Sequence, residues 1–308
     1  MRIRLVVITG PTATGKTRLG VRVAHTLGSE ILSADSRQVY RGLDLGSGKD
    51  MEEYRSVSPA VPVHLINVAD PPRVYSVFHF QRDCYRLLQE KAGVGPFAEG
   101  RPLVMVGGTG LWIEAVLRGY RIPDVPEDAA LRAELMARPS ADLVRELRDL
   151  DPAQHDRTDR STKKRVVRAL EIARYAREHE IRYSPPPPVE IEATVFAVDR
   201  PNPELYRRID ARLEDRLDQG MIEEVRGLLN AGITAGRMGQ LGLEYREITA
   251  FLSGDKSREQ MAVDLAAGIR RLARRQRTWF RGFERRGIPV RWIGPGDAAV
   301  VMEAAHRP

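Results

Sequence analysis

A glycine-rich segment near the start of the chain carries the residue types that bind phosphate groups. Its spacing is a glycine, four residues, a second glycine, a lysine and a threonine, which is the pattern of a phosphate-binding loop. In such a loop the backbone N–H groups turn towards the anion, the lysine reaches the outer phosphate and the threonine hydroxyl can ligate Mg²⁺. We therefore predict a polyphosphate site, with Thr17 as the Mg²⁺ ligand, formed by Gly10, Pro11, Thr12, Ala13, Thr14, Gly15, Lys16 and Thr17.

The segments on either side of this loop have the patterns that would hold it in place. Residues 3–9 form a short apolar, β-branched run of the kind that a buried parallel strand needs. After the loop, Leu19, Val23 and Leu27 recur four residues apart, as on one face of a helix, and Gly28 provides a stop. Strand, loop and helix thus follow in the order that a phosphate-binding loop requires.

A carboxylate follows the second predicted strand. Residues 30–34 have a strand pattern and lead directly into Asp35. Because ligands gather at the carboxyl ends of the strands in a parallel sheet, we expect Asp35 to face the glycine-rich loop. There it could bind metal or take a proton from a nucleophile. The alternative is that Asp35 only caps the turn that follows it.

Two further glycine-rich segments are candidates for the same site. Residues 102–106 predict a strand that leads into Gly107, Gly108 and Thr109. Glycines at a strand end permit close approach of the backbone to a ligand, and Thr109 offers a hydroxyl there. The other segment, residues 46–50, contains two glycines and a lysine, but it could equally be a surface turn.

The pattern of the chain changes at about residue 124. Residues 125–190 contain no strong strand candidate and are rich in Arg and Glu at helical spacing, whereas residues 191–199 return to an apolar, β-branched pattern. We therefore predict an α/β fold: a P-loop core whose parallel sheet is flanked by helices, plus an all-helical insertion domain. The predicted boundaries are 1–124 for the first part of the core, 125–190 for the insertion, and 191–308 for the completion of the core with an arginine-rich C-terminal helix.

Basic residues are concentrated in two places in a chain whose net charge of +7 and pI near 9.7 suggest an anionic partner. The last long helix starts at a capping box at Ser257. Between Arg270 and Arg291 only Glu284 opposes nine arginines, so we expect one stripe of this helix to face an anion: Arg270, Arg274, Arg277, Arg281 and Arg285. A solvated helix face explains the second cluster as well as nucleic-acid contact does: Arg157, Arg160, Lys163, Lys164, Arg165 and Arg168.

Composition excludes several classes of protein. No apolar run approaches the ~20 residues needed to span a bilayer, and the N-terminus lacks the layout of a signal peptide. We therefore expect a cytoplasmic protein without a membrane partner. The single cysteine, Cys84, has no second cysteine with which to form a disulfide or a metal cluster, which favours a packing role.

Five segments occur in the order seen in one enzyme family. They are residues 10–17, 35–40 (Asp-Ser-Arg-Gln-Val-Tyr), 106–111 (Val-Gly-Gly-Thr-Gly-Leu), 168–171 (Arg-Ala-Leu-Glu) and 274–281 (Arg-Arg-Gln-Arg-Thr-Trp-Phe-Arg). On these motifs most of the chain resembles the tRNA dimethylallyltransferases, also called tRNA isopentenyltransferases. The resemblance implies transfer of a dimethylallyl group from dimethylallyl diphosphate to N6 of the adenine 3′ of the anticodon in tRNA, giving N6-isopentenyladenosine and diphosphate.

The resemblance also implies roles for individual residues. The glycine-rich loop and Arg275 would bind the diphosphate, and Asp35 would contact and deprotonate the adenine amine, with Lys16 and Thr109 also taking part in catalysis. The implied partners are tRNA and dimethylallyl diphosphate, with Mg²⁺ as cofactor, and we expect a monomer. Contacts to tRNA are implied for Asp35, Ser36, Arg37, Gln38, Thr109, Arg132, Lys164, Arg165, Val166, Val167 and Arg168.

The chain departs from the family pattern in four places. The family often has Gly-Thr-Ala-Lys-Pro where residues 46–50 read Gly-Ser-Gly-Lys-Asp, and Tyr in place of Trp112. It often has Ile-Gly-Tyr-Lys-Glu where residues 241–247 read Leu-Gly-Leu-Glu-Tyr-Arg-Glu, and the spacing across residues 158–164 is altered. These differences concern the choice of tRNA more than the chemistry, since the phosphate loop and Asp35 are intact.

Three other functions remain open on the sequence alone. Transfer of the same prenyl group to free AMP, ADP or ATP would use the loop and Asp35 but no tRNA platform, so the helical insertion and the arginine-rich helix argue against it. A small-molecule or nucleotide kinase would use an acid after the second strand to activate a hydroxyl and would turn over ATP. The third is a nonenzymatic, nucleic-acid-binding ATP switch. It is disfavoured because it does not explain why Asp35 should face the glycine-rich loop.

Overall fold

Six parallel strands form one sheet, whose order is β3-β2-β4-β1-β5-β6. The computed structural model describes residues 1–306. Strand β1 lies inside the sheet between β4 and β5, which explains its largely apolar run, and β6 is an edge strand. The strands are β1 Arg2–Thr9, β2 Ile31–Ser33, β3 Val63–His64, β4 Leu103–Gly107, β5 Glu190–Val198 and β6 Val290–Ile293.

Helices cover both faces of this sheet. Alternate side chains of β1 point to opposite faces: Leu5 and Val7 join one hydrophobic cluster, and Val6 and Ile8 join another. The α/β fold with a parallel sheet flanked by helices is therefore confirmed. The helices are α1 Lys16–Leu27, α2 Met51–Arg55, α3 Val77–Ala92, α4 Gly95–Ala98, α5 Gly110–Arg118, α6 Ala129–Ala137, α7 Ser140–Leu150, α8 Pro152–Arg157, α9 Lys163–Glu178, α10 Asn202–Asp218, α11 Met221–Asn230, α12 Ala235–Leu241, α13 Leu243–Leu252, α14 Arg258–Arg281 and α15 Ala298–His306.

The chain divides into two compact units, one formed by Met1–Gly119 with the part from Pro187 onward, and one formed by Tyr120–Pro186. We call the first the core unit and the second the helical unit. The named elements of the helical unit are helices α6 to α9, which pack around a cluster that includes Leu135, Leu143 and Leu170. The sequence placed an insertion at 125–190, whose range overlaps that of the helical unit.

Cys84, which the sequence assigned to packing, has that environment in the structure, and so does Trp112. Cys84 on α3 is fully buried and is a free thiol, and burial raises its pKa. Trp112 on α5, one of the departures from the family pattern, is buried and stacks on Phe80, with 4.5 Å between the ring centres. Within residues 1–306, no helix is long and apolar enough to cross a membrane.

Candidate active site

A cavity of about 510 Å³ opens at the carboxyl ends of β1, β2 and β4. The start of α1 contributes Lys16 and Thr17, the segment after β2 contributes Asp35, and the segment after β4 contributes Gly108 and Thr109. These are the residues that the sequence predicts to converge, and the structure brings them to one cavity, as ligands gather at strand ends in parallel sheets.

The glycines of the phosphate-binding loop are required by the backbone. Gly10 has φ of 140°, and a Cβ atom there would lie 2.3 Å from the carbonyl oxygen of Val198. Gly15 has φ of 93° at the N-cap position of α1. Both conformations favour glycine. They let the chain pass tightly from β1 into α1, whose first N–H groups are available to an anion.

Two arginines hold the carbonyl groups of this loop. The Arg200 Nε donates to the Thr14 carbonyl oxygen at 3.0 Å, and the Arg208 Nε donates to the Ala13 carbonyl oxygen at 2.9 Å. These contacts fix the backbone of the loop and leave its N–H side for a ligand. Sequence reasoning did not identify either arginine, because each lies more than 180 residues along the chain from its acceptor.

The Lys16 side chain lies among charges of both signs. Its Nζ donates to the Pro11 carbonyl oxygen at 3.3 Å. Burial lowers the pKa of Lys16 to about 8, the nearby Asp35 carboxylate opposes this, and the Arg212 guanidinium adds to it. The proximity of Lys16 and Asp35 places a phosphate-binding cation and a potential base in the same cavity.

The Asp35 carboxylate caps its turn and also lies in the cavity. Its Oδ1 accepts from the Arg37 backbone N–H at 2.9 Å, which is the turn-capping contact, while the residue also lines the cavity. Thr109 ties this turn to the end of β4, because its Oγ1 accepts from the Ser36 N–H at 3.0 Å and donates to the Ser36 Oγ at 3.3 Å. The Thr109 hydroxyl is thus a support for the segment that carries Asp35.

Gln276 of α14 joins the phosphate-binding loop to the end of β4. Its Oε1 accepts from the Thr12 N–H and its Nε2 donates to the Gly108 carbonyl oxygen, both at 2.9 Å. A Cβ at Gly108 would lie 2.7 Å from that Nε2, and a Cβ at Gly107 would lie 2.1 Å from the Ala34 carbonyl oxygen. Both glycines also line the cavity, so they admit close contacts from Gln276 and Ala34, and the expectation that they permit close approach of a ligand stays a prediction.

The segment at 46–50 is part of the site, but its lysine is not. Gly46, Ser47 and Gly48 line the cavity. Lys49 is almost fully buried and points away, where its Nζ donates to the Tyr40 carbonyl oxygen at 2.9 Å and also binds Asp44 and Asn67. Gln38, which also lines the cavity, donates its Nε2 to the Gly48 carbonyl oxygen at 2.9 Å.

Glu224 of α11 holds the same segment by its backbone. Its carboxylate accepts from the N–H groups of Asp44, Leu45 and Gly46 at 2.7–3.0 Å and from the Tyr245 hydroxyl at 2.9 Å. Tyr245 lies within the 241–247 departure from the family pattern, so that departure supplies a support for the cavity wall. Glu224 is far in sequence from the residues that it binds, so local sequence patterns do not predict these contacts.

The arginine stripe of α14 is not arranged as the sequence indicated. Arg270 forms an ion pair with Asp210, and Arg277 forms one with Asp199 at 2.6 Å. The guanidinium of Arg281 lies 6.0 Å from the centre of the Trp292 ring. Three of the five stripe arginines thus have intramolecular partners, so the stripe does not face an external anion as a whole, and Arg274 remains exposed.

Besides Arg37 and Arg246, four arginines from α10 and from the flank of α14 line the cavity. They are Arg212 and Arg216 on α10, and Arg271 and Arg275 on α14. Arg275 is in the predicted diphosphate set, and the other three are new candidates. With Lys16, this set gives the cavity a concentration of positive charge suited to a polyphosphate.

The predicted tRNA contacts in the helical unit divide into exposed and internally engaged residues. Lys164 is exposed. Arg165 is exposed but pairs with Asp159. Arg132 and Arg168 both bind Glu171, Arg132 at 2.7 Å, so they also stabilise the helical unit itself.

Two of those predicted contacts are corrected by burial. Val166 is 1% exposed and Val167 is 3% exposed, and both belong to the hydrophobic cluster of the helical unit. Their side chains therefore have no surface to offer to RNA, and we drop them from the proposed contact set. The resemblance to the family implied tRNA contacts for this whole segment of α9. In the structure the two valines lie on the buried face of that helix.

The oxygen donors around the loop fit a magnesium ion. Thr17 and Asp35 line the cavity together. Within the described residues no group of three or more His, Cys, Asp or Glu side chains could hold a metal ion. This donor set suits Mg²⁺, which commonly takes one or two protein oxygens together with substrate phosphates and water, and it does not suit an all-protein metal cage.

Comparisons with known proteins agree with this geometry. A model of the IPP transferase family matches residues 38–283, and a model named isopentenyl transferase matches residues 1–58. The tRNA dimethylallyltransferase 1 of Syntrophus aciditrophicus is 44% identical over 305 residues, covering 98% of this chain and 97% of its own. The tRNA dimethylallyltransferase 2 of Syntrophotalea carbinolica is 45% identical over 300 residues, covering 96% of each.

Solved structures extend the comparison. The full-length tRNA isopentenylpyrophosphate transferase of Bacillus halodurans superimposes with a TM-score of 0.67 at 32% identity, covering 98% of this chain and 94% of its own. A eukaryotic dimethylallyltransferase acting on tRNA shares the fold, with a TM-score of 0.73 at 19% identity over 96% of this chain and 75% of its own. With the family match spanning most of its length, the chain belongs to the IPP transferase family, the family of the tRNA dimethylallyltransferases.

Proposed function

We propose that this chain transfers a dimethylallyl group from dimethylallyl diphosphate to N6 of the adenine 3′ of the anticodon in tRNA. The products are N6-isopentenyladenosine and diphosphate. The observation that carries the proposal is the meeting of Lys16 and Asp35 in one cavity, at the end of a phosphate-binding loop. One group suits the leaving diphosphate of the donor, and the other suits the proton of the acceptor.

In the donor half of the reaction, the negative charge of the leaving diphosphate must be stabilised. When the bond between the allylic carbon and the diphosphate oxygen breaks, charge accumulates on the leaving group. The N-terminus of α1, Lys16, Arg212 and Arg275 supply positive charge to the cavity, and such fixed groups stabilise the transition state more than mobile water does. A Mg²⁺ ion held by Thr17 would neutralise further phosphate charge when bound.

The acceptor half is a proton transfer. Adenine N6 is a weak nucleophile, and it must lose a proton as the new carbon–nitrogen bond forms. Asp35 can take that proton as general base while its Oδ1 stays fixed by the Arg37 N–H. A base in a tRNA loop must leave its stack to reach such a cavity, which is the usual solution for enzymes that modify nucleobases.

Recognition of the tRNA requires contacts to many phosphates. We propose exposed Lys164 and Arg274 among these, with Ser36, Arg37 and Gln38 nearer the modified base. We also propose that the protein acts as a monomer. We also propose a cytoplasmic location, since the proposed acceptor is tRNA.

The decisive experiment offers the protein labelled dimethylallyl diphosphate with tRNA and AMP as competing acceptors. Label in tRNA, recovered after nuclease digestion as N6-isopentenyladenosine, supports the proposal. Label in AMP alone would assign the chain to free-nucleotide prenylation. Consumption of ATP with transfer of its phosphate, and no prenyl transfer, would instead identify a kinase.

A variant tests the role of the base in the same assay. Asp35→Asn keeps the size of the side chain and can still accept from the Arg37 N–H, so we expect donor binding to remain. The chemical step should slow by on the order of 10²- to 10⁴-fold, the usual contribution of a general base. Single-turnover transfer to saturating tRNA measures this step. A wild-type rate in this variant would remove Asp35 from the role.

A further inference from the structure

Two arginines and an aspartate form a cluster at the cavity wall. Arg212 and Arg216 lie one turn apart on α10 and both line the cavity. The Asp50 Oδ1 lies 2.9 Å from the Arg216 Nη2, and its Oδ2 lies 3.3 Å from the Arg212 Nη2. The Arg216 side chain is only 13% exposed. Each carboxylate oxygen thus orients one guanidinium group.

Gly48 leaves the space that this arrangement needs. Its φ is +70°, and a Cβ atom there would lie 2.3 Å from the Arg212 Nη2 and 2.6 Å from the Arg216 Nη2. Even a methyl group would therefore displace both guanidinium groups. Gly48 and Asp50 are two positions at which the chain departs from the Gly-Thr-Ala-Lys-Pro pattern, and both departures serve the same pair of arginines.

The backbone of Asp50 is strained in support of this contact. Its φ is 36°, a left-handed conformation that is uncommon for residues other than glycine and costs energy, although less for Asp than for most. Asp50 stands at the N-cap position of α2, yet its side chain makes no capping hydrogen bond there. The Asp50 carboxylate binds Arg212 and Arg216 and does not accept the hydrogen bond that is usual for an N-cap aspartate. Partly exposed ion pairs add little stability, and strain that stability does not explain points to function.

We propose that Arg216 is a further diphosphate-binding residue and that Asp50 is its positioning residue. This inference rests on the proposed function, since it concerns the donor of the same reaction. A guanidinium group presents parallel N–H donors that suit two phosphate oxygens at once. With Asp50 holding one edge of the Arg216 guanidinium, the other N–H groups are available to the cavity. Asp50 acts through Arg216 and does not touch the donor.

The first test measures binding of dimethylallyl diphosphate by calorimetry without tRNA. Arg216→Met removes the charge and keeps most of the side-chain length. We expect the dissociation constant to rise by about 10- to 100-fold, the range for loss of a hydrogen bond to a charged group. Arg207→Met is the matched control, because Arg207 is an exposed arginine on the same helix. The proposal would be overturned if the dissociation constants of Arg216→Met and Arg207→Met differed by less than about twofold, which is far smaller than the expected change.

The second test asks whether Asp50 works through Arg216. Asp50→Asn should weaken donor binding in the wild-type background and have a clearly smaller effect in Arg216→Met, where only the Asp50 contact to Arg212 is left to lose. In steady state, Asp50→Asn should raise KM for the donor and leave kcat nearly unchanged. Tighter binding in Asp50→Asn would overturn the positioning role, since it would mean that the carboxylate only repels the diphosphate.

A third variant distinguishes loss of the diphosphate contact from loss of the fold. Arg216→Lys keeps the charge but lacks the planar, two-pronged donor, so it should show an intermediate affinity with an unchanged thermal midpoint. Wild-type affinity in Arg216→Lys together with loss in Arg216→Met would overturn the two-pronged contact. Failure of the proposed function is distinguishable: wild type itself would then not bind dimethylallyl diphosphate, or Lys16→Ala would bind it normally.

Discussion

Lys16 is influenced by two carboxylates, Asp35 and Asp50, and by the Arg212 guanidinium, and its protonation sets how strongly the cavity attracts a diphosphate. Burial and Arg212 disfavour its charged form, and Asp35 favours it, with a pKa of about 8 as the outcome. A bound diphosphate would add negative charge beside the ammonium group and so restore the proton. Donor binding above this pH must therefore include uptake of a proton by Lys16.

This linkage predicts a pH dependence of donor affinity. The diphosphate is nearly fully ionised near neutral pH, so between pH 7 and pH 9 the titration of Lys16 dominates. With a free-state pKa of about 8, the dissociation constant for dimethylallyl diphosphate should rise about tenfold across this range. Calorimetry in two buffers of different ionisation enthalpy measures both the affinity and the proton taken up.

The control for this prediction is Lys16→Arg. An arginine stays charged across the whole range, so the variant should bind with little change between pH 7 and pH 9, whatever its absolute affinity. A flat profile in the wild-type protein would mean that Lys16 keeps its proton in the free cavity. Equal slopes in the two proteins would assign the titration to another group.

At the scale of the helix, α14 has three faces with different tasks. One face packs into the core through residues such as Leu265 and Phe280. A second lines the cavity with Arg271, Arg275 and Gln276. The third carries the arginine stripe, in which Arg277 is held by Asp199. Its high charge is therefore partly structural.

Arg277 should contribute to stability. Its guanidinium contacts Asp199 at 2.6 Å and the Arg200 carbonyl oxygen at 2.9 Å, and its side chain is 12% exposed. Arg277→Ala leaves Asp199 half-buried without this partner, so we expect a loss of about 1–3 kcal/mol in the free energy of unfolding. Arg274→Ala, exposed on the same helix, should change it by less than about 0.5 kcal/mol. Urea unfolding compares the two, and equal effects would contradict the structural role of Arg277.

The local patterns of the chain predicted the elements that hold the site. The apolar run of β1, the glycine spacing of the loop and the Ser257 cap all depend on neighbours in sequence, and Ser257 does accept from the Gln260 N–H. The patterns predict the ends of helices and strands less accurately. Helix α10, for example, begins at Asn202 and has Pro201 as its N-cap. Strand β3 is only Val63–His64, whereas residues 61–67 have a strand pattern.

Contacts between distant segments could not be predicted in this way. Nothing near Gln276 in the sequence indicates that its amide spans from Thr12 to Gly108. The spacing of arginines on α14 identifies a face but not the aspartates opposite it, because Asp199 and Asp210 lie on other segments. The same limit applies to Glu224 and to Arg200. Each of these residues supports the site through a partner that only the fold brings near.

At the scale of the whole molecule, the helical unit is an insertion with neighbouring ends. A Cβ atom at Gly119 would lie 3.0 Å from the Pro187 Cγ, so the last residue before the unit and the first after it are in contact. Within the unit, the Ile122 N–H donates to the Ser184 Oγ at 2.9 Å, and the Ser184 N–H donates to the Ile122 carbonyl oxygen at 2.8 Å. The sheet and the cavity lining all lie outside the inserted range.

This arrangement predicts that the two units can be separated. Replacement of Tyr120–Pro186 by a short Gly-Ser linker should give a folded core unit that binds dimethylallyl diphosphate with wild-type affinity. If the helical unit supplies phosphate contacts, tRNA affinity should fall and its salt dependence should flatten. Calorimetry and filter binding measure the two affinities. Unchanged tRNA binding would remove the helical unit from the proposed interface, and an unfolded product would contradict the independence of the core.

The position of β1 between β4 and β5 also has a consequence for synthesis on the ribosome. Strand β1 ends at Thr9, but its partner β5 is complete only at Val198. At about 5–20 residues per second, the nascent chain waits roughly 10 to 40 seconds for that pairing. During this time one edge of β1 carries unpaired N–H and C=O groups, the kind of edge that invites pairing with another chain. The inserted helices, whose own contacts span only Tyr120–Pro186, emerge before β5 and can fold while the sheet is still half built.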